Sequence, residues 1–208
     1  MSTRIPFLPS LVILSLCHAG VATAQSRESR FEIGGQATML RLSDFDTTSA
    51  GIGGRFTFNL ARWAAVEAEA DYIPSDDVEI ASTTFTHNLL VIYRRNRTDA
   101  YFGVKLGARR DRFGIFAKVR PGFTRLTGGG PECVGEVCAL VLLAVPTYRT
   151  EFALDMGGVL ELYPTARTVA RFDIGDTMIH HRSAAPPCYI AGCTSHNLSS
   201  RVGIGLRF

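Results

Sequence analysis

The sequence predicts an all-β protein, an eight-stranded antiparallel up-and-down barrel whose polar interior is filled by side chains. Three observations carry this prediction. Apolar residues recur at every second position in short segments, the connections between the segments alternate in length, and charged residues of both signs collect on one face. Twenty Gly against one Trp, together with these short alternating runs, favour an all-β chain.

The amino terminus has the order of a secretory signal. Arg4 precedes an apolar run from Ile5 to Cys17, and Ala22-Thr-Ala24 supplies the small residues of a cleavage site. The run is shorter than the roughly 20 apolar residues that a membrane-spanning helix needs. We therefore expect residues 1–24 to be a cleaved signal peptide and residues 25–208 to form one domain, the barrel.

Alternation places eight strands along the chain, at 30–42, 51–60, 63–73, 99–108, 112–126, 151–162, 168–180 and 198–208. The connections after strands one, three, five and seven are long, and those after two, four and six are tight turns. A barrel with both termini in the periplasm requires this pattern. We interpret 74–97 as a long loop whose second half could extend the next strand, and Pro121 predicts a bulge or a local break in pairing.

The polar faces of these strands carry acids and bases in nearly equal number. Three acids occupy one face of the third strand, which is hard to reconcile with an apolar core and fits a polar lumen. We predict a lumen charge network of Glu67, Glu69, Asp71, Lys105, Lys118, Arg120, Asp155, Arg171, Asp173 and Arg201, with Arg55, Arg109, Glu151, Glu161 and Arg207 on the same faces. Side chains can fill the interior of an eight-stranded barrel, so we expect no open aqueous pore.

The last strand ends in a pattern that resembles the carboxyl-terminal signal by which the outer-membrane assembly machinery recognises barrel proteins. Its specified places are filled by Arg201, Gly203, Leu206 and Phe208. The chain beyond residue 24 as a whole resembles the small outer-membrane β-barrel families typified by the OmpA transmembrane domain and OmpX. Arg120-Pro-Gly-Phe123 is similar to a recurring feature of uncharacterised barrels of this type.

This resemblance implies a transmembrane barrel in the outer membrane of a Gram-negative-type bacterium. Its partners would be outer-membrane lipid and, during biogenesis, the barrel assembly machinery. Alternation alone does not say which face is inside. A soluble, periplasmic, lipocalin-like binding barrel, with apolar residues inside, is therefore the alternative fold.

Four cysteines follow the predicted signal, in two Cys-x4-Cys pairs that lie in predicted outer loops: Cys133, Cys138, Cys188 and Cys193. An oxidising compartment favours disulfides. Two local bridges are our preferred pairing, and bridges between the two loops are the alternative. The spacing is at the long end for a zinc site, so we expect no metal. The apolar run 138–145 either packs over the barrel mouth or presents a binding surface.

No catalytic constellation is evident in the sequence. Some outer-membrane barrels of this size remove or transfer acyl chains of lipid A, and the deacylase type carries His-x-Ser on a lipid-facing strand. Here Leu198 stands where that Ser would follow His196. We therefore expect neither an enzyme nor a cofactor, and a formal net charge of +3 with scattered Arg argues against a nucleic acid partner.

The sequence thus predicts an integral outer-membrane protein with a structural or surface-interaction role, such as adhesion or binding of an unidentified surface ligand through its extracellular loops. A lipid-modifying enzyme is the alternative function. A small-solute channel is disfavoured by the charged interior and the small number of strands.

Overall fold

Nine strands make up the described part of the chain. The computed structural model describes residues 29–42, 47–84, 87–127, 132–134, 148–182 and 192–208, with the backbone alone for 47, 75–95 and 132–134. The strands are β1 (Phe31–Leu42), β2 (Thr47–Ala61), β3 (Ala64–Thr84), β4 (His87–Arg109), β5 (Phe113–Thr127), β6 (Glu132–Val134), β7 (Tyr148–Thr165), β8 (Thr168–His181) and β9 (Cys193–Arg207). No helix among the described residues is long and apolar enough to cross a membrane.

Eight of these strands close into a ring. Each pairs antiparallel with its neighbours in the order β1, β2, β3, β4, β5, β7, β8 and β9, and β9 pairs with β1. The short strand β6 lies outside the ring, where it pairs with Leu90–Ile92 of β4. The predicted eight-stranded antiparallel barrel is confirmed. Closure gives every strand of the ring two hydrogen-bonded neighbours, so the ring itself has no free edge.

The barrel is apolar outside and charged inside. Ile52 and Ile204 point outward and are 70 % and 75 % exposed, whereas Lys105 and Arg120 point inward and are fully buried. Water-soluble barrels have the opposite arrangement, because their apolar faces must leave water. Lipid tails satisfy an apolar exterior, so the side-chain distribution is that of a transmembrane barrel and excludes the lipocalin-like alternative.

Aromatic side chains collect outside the barrel at the end that carries the short turns. Trp63 and Phe208 are 62 % and 65 % exposed, and Phe31 and Phe113 are each 44 % exposed. The ring of Phe31 lies 5.2 Å from that of Phe58. Aromatic girdles of this kind mark the membrane–water interface in transmembrane barrels.

The β3–β4 hairpin is longer than the sequence pattern predicts. Most of the segment 74–97 was expected to be a loop, but β3 continues to Thr84 and β4 begins at His87. Pro74 does not end β3, because it lies within a register shift between Ile73 and Asp76 that accommodates the missing N–H donor. Beyond it, β-branched and aromatic residues on both strands favour extended structure.

Other boundaries differ by a few residues. The turns at the short-turn end lie at 62–63, 110–112 and 166–167, close to their predicted positions, whereas most strands extend further at the opposite end. The β4–β5 ladder has no pairs between Tyr101–Gly122 and Val104–Val119, so pairing is broken beside Pro121, as expected, without a change of register. The apolar run 138–145 lies outside the described residues.

Candidate functional site: the charged interior

The ten residues predicted to form a lumen charge network all lie inside the barrel. Each of the ten residues is at most 4 % exposed. They come from six different strands, because period-two alternation directs every second residue of each strand inward. Glu161, which the sequence places on the same faces, joins them through an ion pair with Lys105.

Arg120 of β5 lies at the centre of the network. One terminal nitrogen, Nη1, lies 2.7 Å from Glu69 Oε2 and 3.4 Å from Glu67 Oε2. The other, Nη2, lies 2.5 Å from Asp155 Oδ2 and 3.5 Å from Asp173 Oδ2. A single guanidinium therefore connects β3, β5, β7 and β8 across the interior, using the planar donor geometry that suits carboxylates.

A second set of ion pairs lies nearer the short turns. Arg171 donates from both terminal nitrogens to Glu67, with Nη2 2.9 Å from Oε2. Lys105 contacts Glu161 and lies 3.2 Å from the other acid, Glu67. Glu67 is therefore shared by cations from three strands, and its desolvation is offset by several charge-assisted hydrogen bonds.

The last strand supplies a third anchor to the network. Arg201 Nε lies 2.8 Å from Glu69 Oε1 and 2.9 Å from Asp71 Oδ2. The same carboxylate of Asp71 accepts hydrogen bonds from Gln36 Nε2 and Thr38 Oγ1, both at 2.8 Å. Arg201 thus connects β9 to β3 across the lumen, and β1 is linked to the same acid.

The charges of the central network balance. Six buried carboxylates form ion pairs with five buried cations, namely Glu67, Glu69, Asp71, Asp155, Glu161 and Asp173 with Lys105, Lys118, Arg120, Arg171 and Arg201. The sixth buried cation, Arg55, makes the formal charges equal and donates a hydrogen bond to Gln36 Oε1 at 3.4 Å. Opposite charges in equal number lower the cost of burying each of them. The described interior is filled by these side chains, as expected for eight strands.

Two apolar clusters cover the network on the side away from the short turns. One consists of Leu40, Leu42 and Ile73, and the other of Tyr101, Ala153 and Ile179. The sequence pattern predicts a polar inward face and does not indicate these apolar layers, although alternation does place Leu40 and Leu42 on that face. Arg201 Cζ lies 5.7 Å from the Tyr101 ring, so the second cluster packs directly on the ion pairs.

An acid–histidine pair lies on the outer wall of the barrel. Asp176 Oδ2 is 2.6 Å from His196 Nδ1, and the two side chains are 41 % and 63 % exposed. The backbone N–H of Asn197 also donates to Asp176, at 3.1 Å. Sequence reasoning missed this pair, because only the β8–β9 register, in which Asp176 faces Leu198, brings the two residues together.

The described contacts of this pair do not include a nucleophile. Among the described residues, the ring of His196 bonds Asp176 and no hydroxyl group. Thr194 instead lies 3.3 Å from Nδ1 of a different histidine, His180. The described residues also contain no cluster of three or more His, Cys, Asp or Glu that could hold a metal ion. A second described hydroxyl group that lies beside a histidine ring is buried inside the barrel, where Ser195 Oγ is 3.0 Å from His181 Nε2.

The remaining predicted residues lie at the ends of strands or outside the described part. Gly203 is half-buried, whereas Leu206 and Phe208 point outward. Phe208 and Phe31 exchange backbone hydrogen bonds, which align the last strand with the first.

Cys193 is disulfide-bonded. The side chains of Cys133, Cys138 and Cys188 lie outside the described residues, so the pairing stays a prediction, as does recognition by the assembly machinery.

Replacing Arg120 by Met is expected to lower the free energy of unfolding by about 3–5 kcal/mol, because four carboxylates lose their shared cation in a dry interior. Urea unfolding of the folded barrel in lipid vesicles measures this. Arg125→Met is the matched control, since Arg125 lies on the same strand but is exposed and points outward. Equal effects of the two substitutions would contradict the central role of Arg120.

Replacing Gly53 by Ala is expected to cost about 1–3 kcal/mol through overpacking. A Cβ atom at Gly53 would lie 1.8 Å from Asp71 Oδ1, whereas one at the adjacent Gly54 would meet nothing closer than a backbone oxygen at 3.9 Å. Gly54→Ala, on the outer face, is therefore the control and should change stability by less than about 0.5 kcal/mol. The same Cβ atom would lie 2.6 Å from the backbone oxygen of Ala70. Indistinguishable unfolding curves for the two variants would therefore show that neither Asp71 nor the backbone of β3 is held in place at this position.

Known structures share this architecture, although no protein-family model and no curated protein matches the sequence. The outer membrane protein OprG from Pseudomonas aeruginosa matches with a TM-score of 0.50 and 12% identity, over 86% of this chain and 96% of that chain. The N-terminal β-barrel domain of P. aeruginosa OprF matches with a TM-score of 0.49 and 10% identity, over 87% and 100% of the two chains. Ail, the attachment invasion locus protein of Yersinia pestis, was solved in complex with the heparin analogue sucrose octasulfate. It matches with a TM-score of 0.48 and 10% identity, over 86% of this chain and 97% of that chain. As its strand pattern predicts, the chain has the fold of the small outer-membrane β-barrels.

Proposed function

We propose that this protein is an integral outer-membrane barrel that presents a β-sheet at the cell surface for binding. The observation that carries the proposal is the β3–β4 hairpin, which continues past the ring. Pairing between β2 and β3 ends at Tyr72, whereas pairing between β3 and β4 continues to Thr84 and His87. The barrel would serve as a rigid membrane anchor for this projecting sheet.

Among the residues that the structure describes, the projecting part of β3 has one edge without a paired strand. Within the described residues, Asp76–Thr84 pairs with β4 and with no other strand, while β6 covers the outer side of β4 at Leu90–Ile92. A free strand edge presents unpaired N–H and C=O groups, to which an extended peptide can add as a further strand. This chemistry favours a protein ligand with an extended segment.

The orientation follows from the two unlike ends of the barrel. The short turns and the strand ends near both termini lie at one end, and the projecting hairpin and the long connections lie at the other. In transmembrane barrels the short turns face the periplasm, so the hairpin would project outside the cell. Residues 1–24 would direct export and be removed, and local disulfides would stiffen the outer loops.

The interior and the outer wall support a non-enzymatic role. A balanced, buried charge network disfavours a channel, since moving solute through it would break ion pairs that have no solvent to replace them. The exposed Asp176–His196 pair has no hydroxyl nucleophile among its described contacts, and the hydrogen bond between His181 and Ser195 is buried inside the barrel. Binding through the projecting sheet is therefore the function that the described residues support best.

Fractionation of cells that express the full chain tests the location. We expect the protein in the outer-membrane fraction, with a mature sequence that begins at Gln25 and with different gel mobility before and after boiling, because a closed barrel resists detergent unfolding until heated. A periplasmic protein whose mobility does not change on boiling would overturn the proposal.

Shortening the hairpin tests the binding role. Ile73 and Arg97 are Cα partners, so replacing 74–96 by Asn-Gly leaves a two-residue hairpin on the ring and keeps the β2–β3 pairs. We expect cells with the full hairpin to bind some members of a panel of immobilised extended peptides, and cells with the shortened barrel to lose this binding while the barrel still shifts on boiling.

Peptides with N-methylated backbones are the control for the shortened hairpin. They cannot donate strand hydrogen bonds, so strand addition predicts that binding is lost with them as well. Equal binding by the full and shortened barrels, or by methylated and unmethylated peptides, would contradict a role for the free edge.

A further inference from the structure

Arg55 of β2 is a buried cation whose hydrogen-bonding groups are only partly used. It is 4 % exposed, and its Nη1 donates to Gln36 Oε1 at 3.4 Å. The Nε and Nη2 atoms of the same side chain are buried and have no hydrogen-bond partner among the described residues. A buried donor without an acceptor lowers the stability of the folded state, so these two nitrogens indicate a ligand.

The two unpartnered nitrogens form one edge of the guanidinium group. The N–H groups on this edge point in nearly parallel directions, and such an edge binds carboxylates and other anions through two hydrogen bonds. In Arg120 and Arg201 the corresponding Nε atom donates to Asp155 and Asp71, in both cases at 2.9 Å. Arg55 differs from these arginines because its anion-binding edge has no acceptor from the described part of the chain.

The wall of the barrel beside this edge carries no side chain. Gly34 of β1 is the Cα partner of Arg55, and on its other side Gly34 pairs with Gly205 of β9. A Cβ atom at Gly34 would lie 3.1 Å from Arg55 Nη2, so the edge lies close against this pair of glycines. No side chain of the wall therefore competes with a small ligand for the edge.

The charges of the interior favour an anionic ligand. The described inward-facing side chains include ten cations and nine carboxylates. The cations are Arg55, Arg97, Lys105, Arg109, Lys118, Arg120, Arg149, Arg171, Arg201 and Arg207, and the carboxylates are Glu32, Glu67, Glu69, Asp71, Asp99, Glu151, Asp155, Glu161 and Asp173. The excess is one positive charge, which a single monovalent anion would neutralise.

The carboxylates around Arg55 are already paired with other cations. Glu67, Glu69 and Glu161 attract Arg55, but their ion pairs are with lysine and with other arginines. Arg171 repels Arg55, and this repulsion is stronger than the attraction by any one of the three acids. A negative charge at the unpartnered edge would offset the repulsion.

We propose that Arg55 binds one chloride ion inside the barrel. Nε and Nη2 would donate the two hydrogen bonds, and Gly34 and Gly205 would form the wall beside the ion. The ion would serve as a structural counter-charge, because the surrounding ion pairs close the interior to exchange of larger solutes. A water molecule is the competing ligand, since it could bridge Arg55 and Glu32 Oε2, which also has no partner among the described residues. Water would leave the excess charge in place.

The chloride dependence of unfolding tests the site. The barrel is reconstituted in lipid vesicles and unfolded with urea, while chloride replaces gluconate, which is too large for the interior, at constant ionic strength. Because only the folded barrel holds the ion, we expect the equilibrium constant for unfolding to fall by up to about tenfold for a tenfold rise in chloride, the limit for one site. The same unfolding constant in both salts would overturn the proposal and favour water.

Replacing Arg55 by Met should abolish the chloride dependence and leave a folded barrel, because it removes the binding edge together with the excess charge. Arg125→Met is the control, since it changes an exposed arginine on the outer wall and should keep the full dependence. The mobility shift on boiling verifies that each variant is folded. An undiminished chloride dependence in Arg55→Met would show that the salt acts elsewhere and would contradict the proposal.

Bromide locates the ion without any substitution. Crystals of the unchanged barrel grown in bromide should show an anomalous scattering peak inside the ring, beside Arg55 Nε and Nη2 and next to Gly34. This measurement decides the question even if Arg55→Met does not fold. Anomalous peaks confined to the outer surface, or no peak at Arg55, would reject the site.

Discussion

The barrel depends on neutralising charge in a space that excludes water. Arg120 bridges carboxylates from three other strands, and neighbouring cations complete the pairing of the same acids. An unpaired buried charge lowers the stability of the folded state far more than a lost surface contact does. These side chains can therefore move very little without destabilising the barrel. The apolar exterior adds a second constraint, since lipid offers no hydrogen bonds and every backbone group must be paired within the closed ring. The two constraints meet on each strand, where alternate residues face ion pairs and lipid.

Most of this architecture could be predicted from the sequence, because period-two alternation is a local signal. Glu67, Glu69 and Asp71 on one face of one strand already exclude an apolar interior, and the balance of acids and bases indicates where their partners lie. What alternation cannot supply is register. The ion pair between Arg171 and Glu67 joins residues on strands that are not neighbours, and the Asp176–His196 pair depends on a specific β8–β9 alignment. The first follows from the closure of the ring and the second from the alignment of two neighbouring strands, and a strand-by-strand pattern specifies neither.

The β3–β4 hairpin shows a different limit. Its upper half carries acids and a proline, which are typical of loops, and these residues outweighed the β-branched positions between them in the sequence prediction. The structure accommodates Pro74 at a register shift, so that both strands continue. The hairpin therefore has two parts with different environments, one in the ring and one beyond it. Only the lower part needs the strict alternation that made the other strands recognisable, because only that part separates lipid from a charged interior.

The position of Arg201 has a consequence for how the barrel forms. Arg201 lies on the last strand, yet its hydrogen-bond partner Asp71 precedes it by 130 residues. Until β9 pairs with β1, Glu69 and Asp71 face an interior that lacks one of its cations, and the incomplete sheet has two open edges. The final strand thus supplies the missing backbone partner and the missing charge in the same event. A chain that is truncated before Arg201 would therefore lack both the backbone partner of β1 and a cation for Glu69 and Asp71. This double loss makes insertion of the barrel strongly cooperative at its last step.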